Sequence, residues 1–264
     1  MNEYLISDPK ERKERALEKE TEVLRWLKDE IYSTTAILAG VMCVEARAAR
    51  TVLNRLAARG LIVKDEIRFF TSRALVLWGI TPAGLFHIST AKEIAEGSLR
   101  YHTPGSIKPL TIEHAIGVQE CRFFFECEFS NRDCKWVPDR LLPGKGLKAK
   151  DPKRWSLYPD GIFSFTKDGI AKKKTVAIEF ERSRKTPARY AEIIKAHVKN
   201  MENRRYTGVW YICPTTKEAE TLNALFSRMI REKKIGLFIN DDNRLGPEQL
   251  IQLFEFRSKE QFWE

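Results

Sequence analysis

Tyr158–Phe165 reads YPDGIFSF and Thr175–Lys185 reads TVAIEFERSRK. Each holds a short apolar run bounded by turn-forming or charged residues, the pattern of a buried strand. Asp160 falls in the turn before the first strand, and Glu179 and Glu181 fall at the end of the second. Residues two apart on a strand share a face, so the three carboxylates are expected to converge at one edge of the strand pair. Such like charges repel unless a cation joins them, and hard oxygen ligands suit Mg²⁺ or Mn²⁺. Lys185, four residues beyond Glu181, comes within reach if the chain turns into a helix there. Its ammonium would then position an attacking water or stabilise charge on phosphoryl oxygens. Glu-x-Glu alone reads as a solvated strand end that deters unwanted pairing; Pro-Asp-Gly ahead of it and ERSRK behind it favour a metal-dependent site. Arg182, Arg184, Lys185, Arg189 and Lys195 are placed to hold backbone phosphates.

Outward from this core, a helix opening at Thr111 runs through GVQECRFFFECEF, and a short strand lies near Lys135–Val137. Thr186-Pro187 introduces a further helix, followed by the strand TGVWYICP, a helix over Lys217–Lys233, and the strands GLFIN and IQLFEFR. This order predicts an α/β domain with a mixed sheet.

Upstream, Val23, Leu24, Trp26 and Leu27 form an apolar stripe at helical spacing, after a charged run to Lys19 that reads as a solvated helix or lead-in. A second helix is predicted over Thr35–Gly40 and a third over Val44–Ala58, with Gly60 closing it. LIVKDEIRFFTSRALVLWGITPAGL then reads as two strands and a Thr-Pro helix start. Three helices and two strands make a winged helix-turn-helix. The chain is therefore expected to be α+β overall, with a winged-helix domain over 1–91, a linker over 92–109, and a mixed-sheet domain over 110–264.

In the third helix Ala49, Val52, Leu53 and Leu56 share one face, while Arg47, Arg50, Thr51 and Asn54 share the other. Arg offers a bidentate fork to guanine and Asn pairs with adenine, which suits a helix in a major groove. Lys64, Arg68 and Arg73 on the wing would add phosphate contacts. Ordinary exposed charges on an amphipathic helix look the same, and a winged helix does not say whether a protein regulates, cuts or docks.

The chain has 264 residues, 43% of them hydrophobic, enough for two cores, and a formal charge of +10 that favours a polyanionic partner. It shows no apolar run of ~18–20 residues and no apolar signal core, so a soluble, cytoplasmic protein without membrane insertion is expected. Its five cysteines form no C-x-x-C pair; neither a disulfide framework nor a zinc site is encoded.

Pro159-Asp160 followed by Glu179-Phe180-Glu181 resembles the PD-(D/E)XK restriction-endonuclease-like core, with Glu181 standing where that core usually has lysine and Lys185 as its migrated replacement. Together with the winged helix and the WVPDR segment (Trp136–Arg140), the chain from about Glu22 to Cys213 resembles the replication-relaxation family and, within it, MobC-type plasmid mobilization relaxases. The resemblance implies recognition of double-stranded plasmid DNA at a transfer origin and nicking of one strand with a divalent metal. It also implies partnership with relaxosome accessory and coupling proteins. The implied site set is Asp160 and Glu179 as metal ligands, Glu181 as third ligand or general base, and Lys185 as electrostatic partner. Glu113, His114 and Glu120 are weaker candidates, because the helix opening this fold often contributes an acid. His87, His102, His114 and His197 are too scattered for the usual relaxase His-hydrophobe-His motif, which leaves nuclease-like chemistry, with Tyr190 open as a nucleophile. Two other readings stand beside this one: a DNA-binding transcription or replication accessory protein whose nuclease-like domain is inactive, and a restriction or repair nuclease.

Overall fold

The computed structural model describes residues 8–68, 74–96, 99–145, 148, 151, 153–167, 170–233, 237–240 and 243–262. The chain divides into two units, Met1–Phe123 and Phe124–Glu264.

In the first unit, α1 (Pro9–Glu30) starts at Asp8, whose carboxylate accepts the Lys10 N–H at 2.9 Å. The charged lead-in is thus part of one long helix. Ile31, at φ +71°, ends it. Next comes β1 (Tyr32–Thr34), a strand of three residues and too short to show a period, and then α2 (Thr35–Val41), capped by Thr34 Oγ1 on the Ile37 N–H at 3.3 Å. The amphipathic α3 (Ala46–Ala58), β2 (Ile62–Arg68) and β3 (Ala74–Ile80) follow. The strands pair antiparallel in the order β1-β3-β2, so the elements form a winged helix-turn-helix. Leu24 and Leu27 of α1, Leu38 of α2, and Leu53 and Leu56 of α3 are buried together with Trp78 and Ile80. Each such side chain removed from water contributes about 1.5–3 kcal/mol. Glu20, also buried, fastens α1 to α3 through Arg55 Nε at 2.6 Å and Arg59 Nη1 at 2.5 Å.

The units divide well beyond the stretch expected to be a linker. After α4 (Pro82–Ile88) and α5 (Ala91–Ala95), His102 is buried with Nε2 2.9 Å from Asp65 Oδ2, which also accepts the Gly105 N–H at 3.0 Å. A Cβ on Gly79 would lie 2.3 Å from the His102 ring. The next helix, α6 (Pro109–Glu128), belongs to the first unit as far as Phe123. Gln119 accepts from Ser33 Oγ at 2.6 Å and donates to the Tyr32 carbonyl at 2.9 Å. Arg122 pairs with Glu30 at 2.7 Å and Asp29 at 3.1 Å and lies 4.2 Å over the Trp26 ring. A linker at 92–109 would leave this helix wholly in the second domain; its buried polar anchors tie it as far as Phe123 to the first unit.

In the second unit, β4 (Cys134–Pro138), β5 (Gly161–Lys167) and β6 (Ile170–Phe180) form an antiparallel meander, and β7 (Val209–Cys213) and β10 (Phe254–Ser258) continue it in parallel. The order is β10-β7-β6-β5-β4. The crossovers are α7 (Pro187–Glu202) and α8 (Thr216–Glu232), whose apolar faces meet Ala177, Val209 and Tyr211. The opposite face is aromatic: Phe125 lies 5.5 Å from Phe163, and Phe129 lies 4.5 Å from Phe165, between ring centroids. With both faces covered, the central strands read as continuous apolar runs. Of the expected strand GLFIN, Gly236 lies outside the described residues and the rest lies outside this sheet: β8 (Leu237–Asn240) pairs with β9 (Asn243–Leu245) separately. The last predicted strand starts later than expected, because α9 (Pro247–Ile251) takes its first residue and a turn at Gln252 and Leu253 follows.

Candidate functional site

Asp160 precedes β5, and the β5·β6 register pairs Gly161 with Ile178, which brings Asp160 opposite Glu179 and Phe180. Its Oδ2 accepts the Phe180 N–H at 2.8 Å. Gly161, the next residue, lets the Trp136 indole of β4 pack against the strand, since a Cβ there would lie 2.3 Å from Trp136 Cζ2. Glu179 and Glu181 share the face covered by α7 and α8, and Glu181 extends the parallel ladder by donating its N–H to the Ile212 carbonyl at 2.9 Å.

From there the two glutamates diverge. Glu181, 7% exposed, accepts Lys185 Nζ at 2.5 and 2.6 Å. Lys185 reaches it across an irregular segment bent at Ser183, not on the helix expected there, since α7 begins only at Pro187 behind its cap Thr186. Burial pushes the Glu181 carboxyl up, and Lys185 works against the shift. Glu179 is half-buried as a residue, but its Oε1 is enclosed with no hydrogen-bond partner. Burial first, and the charge of Asp160 second, push its carboxyl well above the usual range. Among the described residues, no three His, Cys, Asp or Glu side chains stand as a ready set of metal ligands.

Beneath Glu179 lies a polar chain that the sequence reading missed. Asn200 Oδ1 accepts the Ser156 N–H at 3.0 Å, so its Nδ2 faces the Leu157 carbonyl at 2.8 Å and Tyr206 Oη at 3.0 Å. The Tyr206 proton is thereby directed to His197 Nδ1, 2.7 Å away. A neutral imidazole donates from one nitrogen only, so Nε2 carries the proton and faces Tyr211 Oη at 3.2 Å and Glu179 Oε1 at 3.5 Å. Burial holds the His197 pKa down to about 3, so the ring is neutral in any ordinary buffer. The available signal was His197 and Asn200, three apart on the apolar face of a helix. Tyr190 is fully buried, its Oη accepts the Lys185 N–H at 3.1 Å, and burial pushes its pKa up to about 12. It is a poor nucleophile as placed.

The α3 residues Arg47, Arg50, Thr51 and Asn54 are all exposed, opposite the buried Ala49, Val52, Leu53 and Leu56. Lys64 is paired with Glu66 at 2.7 Å, Arg68 is exposed, and Arg73 lies outside the described residues. Arg182, Arg184 and Lys195 are exposed, whereas Arg189 is paired with Glu192 at 2.9 Å. Glu113, His114 and Glu120 lie on the part of α6 that belongs to the first unit. Among the described residues, no helix is long and apolar enough to cross a membrane.

A winged helix followed by a mixed-sheet unit with buried strand-end carboxylates defines a two-unit α+β protein. The chain belongs to the replication-relaxation family, which it matches over residues 24–209. That span takes in α3 together with Asp160, Glu179, Glu181 and Lys185. No curated protein gives a match.

Proposed function

We propose that this chain is a plasmid mobilization relaxase that recognises double-stranded DNA at a transfer origin through α3 and nicks one strand at the Asp160–Glu179–Glu181–Lys185 site. The observation that carries the reading is Glu179 Oε1, a buried carboxylate oxygen without a hydrogen bond, held opposite Asp160. Unpaired charge of this kind is costly for folding, and such groups concentrate at functional sites. Family membership supports a role in plasmid replication or mobilization, and the antiparallel meander running into parallel β7 is compatible with a PD-(D/E)XK-like domain.

Asp160 and Glu179 fit a small divalent cation, because both offer hard carboxylate oxygens and one of them lacks a partner. Mg²⁺ or Mn²⁺ bound there would polarise a phosphoryl oxygen and lower the pKa of a water. Glu181, with its raised pKa, serves as general base. Lys185 orients that carboxylate and offsets negative charge near the phosphate. Exposed Arg182 and Arg184 hold the backbone. Relaxosome accessory and coupling proteins are the expected partners.

A second reading, a DNA-binding replication or transcription accessory protein with an inactive nuclease-like unit, is favoured by the closed Lys185–Glu181 pair. A plasmid-relaxation assay separates the two, using supercoiled DNA that carries a candidate transfer origin in Mg²⁺, Mn²⁺ or EDTA. Metal-dependent open circles from the wild type, lost in Asp160→Ala and Glu179→Ala, are the expected result. Origin binding without nicking in any metal would transfer the assignment to the accessory protein. Independently of activity, Mn²⁺ at a hundred times its Kd should stabilise the wild type by about 2.7 kcal/mol and leave Asp160→Ala unaffected.

A further inference from the structure

Beside Glu181, at the C-terminal ends of parallel β6 and β7, lies a cleft of about 270 Å³. Crevices at the carboxyl ends of parallel strands are where open α/β sheets bind ligands. Its apolar lining comes from Tyr190, Cys213 and Leu222, all buried, and its rim carries Arg184 and Lys217, both exposed. Neither cation has an ion-pair partner among the described residues. The two acids in the lining are already engaged. Glu181 is held by Lys185, and Glu218 turns back to Thr215, accepting its N–H at 3.1 Å and its hydroxyl at 2.9 Å. The charge left to face a ligand is positive.

An apolar floor under a cationic rim is complementary to one nucleotide, with its sugar and base against carbon and its phosphate against the cations. Just below the roughly 300–1,000 Å³ range of small-ligand sites, the cleft has room for a single nucleotide unit at most and none for a duplex. Enzymes that act within a duplex commonly draw a nucleotide out of the stack. We propose that the cleft holds one unpaired nucleotide of the DNA strand, flanking the phosphate presented to Glu181, with Arg184 and Lys217 as its phosphate ligands. The proposal rests on the DNA-cutting reading but predicts a binding activity that needs no metal.

The test is fluorescence anisotropy with a labelled single-stranded 12-mer and, separately, a labelled duplex, in EDTA. The variants are Thr221→Trp, which projects an indole into the cleft from an exposed lining position, and the double substitution Arg184→Ala with Lys217→Ala. Amide exchange across β6 and β7 reports that each fold is intact. Both variants should weaken single-strand binding at least tenfold and duplex binding less than twofold. The double variant should also lower the single-strand salt slope by about 1.4, near 0.7 for each phosphate contact removed. Wild-type single-strand affinity in a folded Thr221→Trp protein overturns the pocket, as does a cleft that takes free thymidine monophosphate but no oligonucleotide. Because no metal is present, a failure of nicking leaves this result standing. Conversely, a Thr221→Trp protein that nicks normally removes the pocket and leaves the relaxase.

Discussion

Replacing Glu179 by Gln should make the second unit more stable at alkaline pH. The carboxyl titrates near 4.3 in an unfolded chain and well above that in the fold, through burial and then the charge of Asp160. Between those two values the native state binds more protons than the unfolded one, so stability falls as pH rises through the window. Above it, the native state carries a buried charge whose Oε1 makes no hydrogen bond, with His197 Nε2 facing it from 3.5 Å. A buried unsatisfied polar atom costs about 1–3 kcal/mol, more when charged. Gln keeps the shape, removes the charge and does not titrate. In EDTA at pH 8, Glu179→Gln should therefore gain about 1–3 kcal/mol, and at pH 5 the gain should shrink towards zero. Urea unfolding read from amide protection in β6 and β7 scores this unit separately from the winged helix. A variant no more stable than the wild type at pH 8, or a gain that is larger at pH 5, would refute the reasoning.

On α3, Arg50→Ala and Asn54→Ala should each cost about 1–3 kcal/mol of binding to the specific site, with weaker loss on random DNA, as read by competition titration. Tyr206→Phe removes the hydroxyl that fixes the His197 tautomer; nitrogen NMR of the imidazole should change from a single Nε2–H form to a mixture, at a stability cost of about 1–2 kcal/mol. An unchanged imidazole spectrum would show that Tyr206 does not set the tautomer. Gly161→Ala forces a methyl into the Trp136 indole and should cost about 1–3 kcal/mol, with altered exchange of the Phe180 amide that Asp160 holds. Equal stability and unchanged exchange would count against the close approach.

Much of this protein was legible in the amino-acid order because it depends on local periodicity. The two faces of α3 follow from a 3.6-residue repeat. The apolar runs of β5 and β6 and the shared face of Glu179 and Glu181 follow from a two-residue repeat. Lys185 reaches Glu181 because it lies only four positions further along the chain. Contacts between distant elements were a different matter. The charged start of α1 left open whether it was a solvated helix or a lead-in, and only the fold joins it to the apolar stripe as one helix. The residues Gln119 and Arg122 of α6, lying in an apolar run, gave no sign that they would bury against Ser33 and Glu30 and carry the unit boundary to Phe123. Glu179 and Glu181 look alike as a Glu-x-Glu pair, yet one meets Lys185 and the other faces His197 and Tyr211 from α7 and β7. Their chemistry differs because burial and partners set the pKa of a carboxylate. Those partners are assembled only when strands paired across the sheet bring remote residues to one place.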